Sequence, residues 1–351
     1  MDHLLGNAMN EIELLEGLLQ RYSPTFQEAE ATNYLVAQMS AAGFNACVDE
    51  AGNAVGVIGD GPREVMMLGH IDTVPGFIEV ERVGDRLYGR GSVDAKGPLA
   101  CFAAAMTLAG ARDGYRFVVI GAVGEEGDSR GAQFVRDHYR PDMLIIGEPS
   151  SWDRVTLGYK GSAWFEYEVR RTLAHTSANV ESACQAAVSF WNRVMDRSAQ
   201  WNVGRLKMFD QLIPSLRAMH SRSDGFVERA ELKLNLRVPL GIQLSEVEAL
   251  VHEQVQDADL KMVEGCAAYR AEKNTPLVRS FLTAIRQHGG SPAFTVKSGT
   301  SDMNLTAPVW QCPTVAYGPG DSDLDHTPHE HILIPEYQRA IQILADVLRT
   351  V

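Results

Sequence analysis

Two histidines and five carboxylates stand in segments whose residue types and spacing suit a metal centre. The apolar run 65–68 ends in Gly69-His70-Ile71-Asp72-Thr73-Val74-Pro75. A His followed two residues later by a carboxylate suggests a metal ligand and the group that orients its ring. Asp94 lies in the Gly-rich stretch GRGSVDAKG, and Glu125 and Glu126 follow FVVIGAVG. Glu148 follows MLIIG, and His326 lies in DSDLDHTPHEH.

Each segment alone has a plainer reading. A Glu-Glu pair in a loop is most often solvated surface. The Gly-rich stretch could cradle a phosphate, but it lacks the G-x-x-x-x-G-K-[ST] spacing. A lone Gly-His is commonly a hydrogen-bonded core or surface residue. The combination is more specific. Bringing Asp94, Glu126 and Glu148 together without neutralisation would be costly through repulsion and desolvation. Divalent cations remove that penalty. Imidazole and carboxylate donors suit zinc, with cobalt or manganese also compatible. Two ions sharing one carboxylate would use His70, Asp94, Glu126, Glu148 and His326, and leave a water as nucleophile. Glu125, beside a ligand, would serve as general base. Asp72 would hold the His70 ring from its far side.

To bring these side chains together the chain needs a layered fold. Residues 10–20 and 27–42 read as helices, the first ended by Ser23-Pro24. Strand-like runs cover 54–58, 64–69, 116–123 and 142–146, and an Ala- and Leu-rich helix covers 98–111. Such alternation predicts an α/β sheet, at least partly parallel. Sites in these sheets form beyond the carboxyl ends of the strands. His70, the Glu125-Glu126 pair and Glu148 each follow one such strand.

Near residue 156 the texture changes. AWFEYEV at 163–169 alternates like an antiparallel strand with one solvated face. A helix over 179–196, strands at 212–219 and 228–238, a helix over 244–257 and a strand at 259–270 complete a β-α-β-β-α-β order, that of the ferredoxin-like motif. A helix over 274–288, a strand at 314–317 and a helix over 335–349 follow. We therefore expect a metal-binding catalytic domain, 1–155 and 271–351, interrupted by an inserted domain, 156–270.

Composition narrows the function classes. With 351 residues, 45% hydrophobic and 22% charged, the chain can build more than one core. A net charge of −13 argues against nucleic-acid binding, which draws on clustered Lys and Arg. No apolar stretch approaches a membrane span. The first twenty residues pattern as an amphipathic helix and lack the basic start of a secretory signal. Five scattered cysteines without C-x-x-C fit reduced thiols. The cytoplasm is the expected compartment.

In order along the chain, GHIDTVP, YGRGSVDAKG, GEEGDSRGA, IGEPS, AHTSA, LNLRVP, SGTSDMN and DHTPHE resemble the motifs of the co-catalytic zinc aminoacylase and carboxypeptidase family. That family includes acetylornithine deacetylase and succinyl-diaminopimelate desuccinylase. The resemblance implies an α/β zinc-peptidase domain with an inserted ferredoxin-like lid that also forms a homodimer. It implies His70, Asp94 and Glu148 on one ion and Asp94, Glu126 and His326 on the other, bridged by Asp94. His175 in AHTSA would reach the partner subunit's active site and help bind the oxyanion there. Arg237 in LNLRVP, with Thr300 and Ser301 of SGTSDMN, would grip a substrate carboxylate, and Lys160 of GYKG would also bind substrate.

GYKG with Lys160, YGRGSVDAKGPLA and KSGTSDMN are closest to a branch acting in lysine or arginine biosynthesis. Its implied reaction releases lysine or ornithine from the C-terminal glutamate of an amino-group carrier protein. Such a carrier is expected to be acidic, so long-range steering by a −13 chain would be repulsive. A local basic entrance using Arg154, Lys160, Arg170 or Lys297 would have to overcome that. Deacylation of a small N-acyl amino acid, dipeptide cleavage, and metal binding without catalysis are the alternatives.

Overall fold

A computed structural model describes residues 9–351. Residues 1–8, which the sequence reading joins to the first helix, lie outside the described residues. The chain divides into two compact units. One comprises Met1–Gly158, Ala271–Thr295 and Ser301–Val351, and the other Tyr159–Arg270 with Val296–Thr300.

The first unit is built on a mixed sheet. Its strands run in the order Asn45–Val48, Ala54–Ile58, Tyr115–Ala122, Arg63–His70, Met143–Gly147, Thr314–Ala316 and Arg154–Tyr159. Arg63–His70 pairs in parallel with both Tyr115–Ala122 and Met143–Gly147, and the latter pairs in parallel with Thr314–Ala316. Central parallel strands covered on both faces read as continuous apolar runs, as YRFVVIGA and MLIIG do. The register aligns their carboxyl ends: His70 faces Ala122, and Gly69 faces both Gly121 and Gly147.

Helix Lys96–Ala109 is buried from Lys96 to Met106, and its alanines let it lie close to the sheet. A Cβ on Gly147 would come within 2.8 Å of the Phe102 ring and 3.0 Å of the Gly69 Cα, so no side chain fits there. Helix Ile334–Thr350 packs on the same layer through Ile334, Tyr337, Ile341, Leu344 and Leu348, a spacing of three and four residues. The first helix, Glu11–Gln20, is capped by Asn10, which accepts from the Ile12 and Glu13 N–H groups.

The second unit has the β-α-β-β-α-β order. Its antiparallel sheet runs Ile213–Ser223, Val227–Val238, Gly161–Thr172, Asp259–Cys266. In AWFEYEV, Ala163, Phe165, Tyr167 and Val169 are buried and Glu166 is exposed. Phe190 of helix Ala183–Trp201 stacks on Tyr167 at 4.1 Å between ring centroids.

Several local features depart from the sequence reading. The helix expected over 244–257 ends at His252 with Glu253 as its C-cap, and Asp257, further on, has a left-handed φ of 46°. The strand expected over 259–270 stops at Cys266, with a separate strand Tyr269–Arg270. Helices Arg130–His138 and Asp302–Trp310 were not anticipated. Among the described residues no helix is long and apolar enough to cross a membrane.

Candidate metal centre

The aligned strand ends deliver the expected side chains to one place. His70 terminates its strand, the loop after Tyr115–Ala122 supplies Glu125 and Glu126, and Glu148 follows Met143–Gly147 directly. Asp94 precedes helix Lys96–Ala109, and His326 lies in the loop after Thr314–Ala316, with a left-handed φ of 61°.

Asp94 stands between the two histidines. Its Oδ1 lies 3.1 Å from Nε2 of His70, and its Oδ2 lies 3.0 Å from Nε2 of His326. Glu126 Oε1 is 2.9 Å from the same His326 nitrogen. Glu148 Oε1 is 4.0 Å from Nε2 of His70. Ligand atoms of Asp94, Glu126 and His326 lie within 4.8 Å of one another, as do those of His70, Glu125 and Glu126. Two carboxylates, Glu125 and Glu148, therefore flank His70, and proximity alone does not separate their roles.

The His70 ring is held for ligation. Its Nδ1 lies 3.0 Å from the Asp72 carbonyl oxygen. A carbonyl only accepts, so Nδ1 carries the proton and Nε2 keeps its lone pair for a metal. The Asp72 carboxylate is 3.6 Å from Nδ1, beyond hydrogen-bond range. The clamp anticipated from Asp72 therefore runs through its backbone. The carboxylate instead accepts the N–H groups of Glu125 at 3.0 Å and Glu126 at 3.1 Å, and the Thr25 hydroxyl at 2.7 Å.

Clustered carboxylates dominate the electrostatics of the site. Burial opposes charge on His70, but Asp72 and Asp94 outweigh it and raise its pKa well above the usual imidazole value. The Asp94 and Glu126 carboxylates raise the His326 pKa to about 10. Burial opposes ionisation of Asp94, yet His326 and His70 hold its carboxyl below the usual range. Burial raises Glu125 well above the usual carboxylate value. Two imidazoles and several carboxylates, gathered within a few ångströms in a mostly buried setting, fit divalent ions such as zinc.

Sequence reasoning missed three supporting groups. Lys96, fully buried, donates to the carbonyls of Leu18 and Arg21 at 3.0 and 2.8 Å, and burial lowers its pKa to about 7. Asp302, 3% exposed, has a buried Oδ1 with no hydrogen-bond partner, and burial raises its pKa to about 7. Glu330, also fully buried, grips the Asp94 loop. A lysine or acid with no exposed role is visible from sequence only as an ordinary charge.

The remaining expected residues are placed as follows. His175, exposed in the second unit, has its Nδ1 2.7 Å from the Ser177 hydroxyl and accepts the Ser177 N–H at 3.2 Å. That leaves Nε2 as the N–H donor of the neutral ring. The helix that follows is capped by Ser182, so His175 is not its cap. Arg237 Nη1 lies 3.4 Å from the Thr300 hydroxyl within the second unit. Ser301 caps helix Asp302–Trp310, its Oγ accepting the Met303 N–H. Lys160 is fully buried and donates to the carbonyls of Met208 and Gln211. Of the residues expected to form a basic entrance, Arg154 is bonded to Asp153 and the Ser291 carbonyl, and Arg170 to Glu168.

Comparison with known proteins extends these observations. Residues 66–350 match the family described as peptidase family M20/M25/M40. The chain is 42% identical to the LysW-lysine hydrolase of Deinococcus radiodurans, over 96% of this chain and 95% of that one. It is 30% identical to the LysW-lysine/LysW-ornithine hydrolase of Sulfurisphaera tokodaii, over 92% and 90%. In fold it is similar to an M20 family metallo-carboxypeptidase from Sulfolobus solfataricus, with a TM-score of 0.79, 17% identity and coverage of 97% and 99%.

Proposed function

This chain belongs to peptidase family M20/M25/M40, and on that premise we propose that it is a two-metal amide hydrolase that releases lysine, or ornithine, from the C-terminal glutamate of an amino-group carrier protein. The chemistry rests on one observation: each oxygen of Asp94 faces a different histidine. The substrate rests on the near full-length likeness to a LysW-lysine hydrolase.

In this reading His70, Asp94 and Glu148 would hold one divalent ion, and Asp94, Glu126 and His326 would hold the other. Zinc suits these donors, and cobalt also fits. Bound there, the ions would polarise the amide carbonyl and lower the pKa of a water. We assign Glu148 as the ligand and Glu125 as the base: Glu125 lies beside the ligand Glu126, and burial raises its carboxyl well above the usual carboxylate value, which favours holding a proton. Glu125 takes a proton from the water as its oxygen attacks the γ-carbonyl carbon. It returns that proton to the nitrogen as the C–N bond breaks. The products are the free amino acid and the carrier's γ-carboxylate.

His175 would act in trans, its Nε2 N–H donating to the oxyanion in the partner subunit's active site. Arg237, with the Thr300 hydroxyl beside it, would take a substrate carboxylate, and the resemblance gives Ser301 the same role. Lys160 contributes by fixing the 208–211 turn, since its ammonium is bonded to carbonyls there.

The charge balance also bears on docking. The second unit has fifteen Lys and Arg against fourteen Asp and Glu, so the whole negative excess of the chain resides in the first. An acidic carrier would meet less repulsion at the second unit. The same unit is the proposed homodimer surface: helix Ala183–Trp201 leaves Val188 and Met195 exposed, with Val180 just before it. Five unpaired cysteines agree with a cytoplasmic setting.

The overall acidity favours a second reading, in which the substrate is a small N-acyl amino acid. Lysine release from the carrier adduct and from N-acetyl-lysine separates the two. A higher kcat/KM for the adduct is expected. Equal or reversed preference would move the assignment to the small substrate.

A further inference from the structure

Glu330 is fully buried, and both of its oxygens are engaged. Oε1 accepts three backbone N–H groups: Gly91 at 3.1 Å, Val93 at 2.9 Å and Asp94 at 3.0 Å. Oε2 accepts Nη1 of Arg90 at 2.8 Å. Arg90, 7% exposed, donates from Nε to the Gly76 carbonyl at 2.9 Å. Three segments therefore meet at one ion pair. They are the stretch that leaves His70 and Asp72, the loop that carries Asp94, and the loop that carries His326 four residues before Glu330.

The chemistry at position 330 is restrictive. Four donors converge on one side chain, three at one oxygen and a guanidinium at the other. A carboxylate offers acceptors at both ends. An amide offers one, so Gln would turn an NH2 toward either Arg90 or the three N–H groups. Asp lacks the methylene needed to span the gap. Gly91, with φ of +88°, is packed so that a Cβ would lie 2.8 Å from Thr73, which leaves this loop little freedom to adapt.

We propose that Glu330, tied to Arg90, is a positioning residue for the bridging ligand: it fixes the Asp94 backbone against the His70 and His326 segments, so that the two Asp94 oxygens address separate ions. The proposal rests on the two-metal reading, but its test needs no substrate. Zinc affinity of Glu330→Gln would be measured by competition with a chromogenic chelator, alongside unfolding temperatures with and without zinc. The expected result is weakening of zinc binding by about 10–100-fold, with a smaller zinc-induced rise in Tm and a lower kcat at similar KM. Arg90→Lys, which keeps the charge but cannot serve both Glu330 and Gly76, carries the same measurements should Glu330→Gln fail to fold. It should lose affinity in the same sense.

A purely structural role would lower Tm of the metal-free protein and leave zinc affinity and the zinc-induced rise intact. That result overturns the proposal while leaving the hydrolase assignment standing. Absence of zinc binding in the unaltered protein would overturn both.

Discussion

Asp72 holds Glu125 by the backbone: its Oδ1 accepts the Glu125 N–H at 3.0 Å, while its Oδ2 takes the Glu126 N–H at 3.1 Å. One carboxylate thus sets the loop that carries both the proposed base and a proposed ligand. Its own carbonyl orients the His70 ring. Asp72→Asn keeps the shape but presents one acceptor oxygen where three donors converge. Turnover should fall by about 10–100-fold, the scale for groups that orient ligands. Elemental analysis should still find metal. Unchanged kcat would show that the loop is set by other contacts.

Glu125→Gln preserves size and removes proton transfer. We expect kcat to drop by roughly 10²–10⁴, with metal content unaltered. Full turnover in this variant would transfer the role of base elsewhere, and lost metal would make Glu125 a ligand. The second outcome has a structural basis to watch for, since ligand atoms of His70, Glu125 and Glu126 lie within 4.8 Å of one another.

Much of this site could be read from the sequence because strand ends are legible. FVVIGAV and MLIIG announce buried parallel strands, and whatever follows them emerges on one edge of the sheet. His70, Glu126 and Glu148 were placed by that logic. The groups that hold the ligands were harder to see. Glu330 looks like any acid in DHTPHEHI until the fold brings Gly91, Val93 and Asp94 onto it. Lys96 looks solvated until helix Glu11–Gln20 and Arg21 cover it. The Asp72 carbonyl carries no side-chain signal at all. The association of Val296–Thr300 with the second unit depends on contacts distant in sequence.

Metal binding should release protons. Carboxylates raise the His326 pKa to about 10, so the metal-free ring is protonated at pH 7.5. A ligand must be neutral, so binding at that pH should expel at least about one proton. Apparent affinity should rise, and proton release decline, as pH approaches 10. In the metal-free protein the same pairing stabilises the fold fully below pH 6.5, and that contribution is lost as pH rises through about 10. Calorimetry in buffers of different ionisation enthalpy reads the released protons. A buffer-independent binding heat at pH 7.5 would contradict the assignment of His326.

His175→Ala should leave metal in place and reduce kcat by about 10²–10³, the scale for losing one oxyanion donor. Ser177, whose N–H faces His175 Nδ1, should have a smaller effect when changed to Ala, because the backbone donor remains. Loss of metal from His175→Ala would contradict its role at the oxyanion.

Asp94 is the proposed bridge between the two ions, and metal stoichiometry in matched variants tests that role most directly. The unaltered protein should hold about two divalent ions per chain, His326→Ala about one, and Asp94→Ala close to none. Equal metal content in Asp94→Ala and His326→Ala would show that Asp94 does not join the two positions.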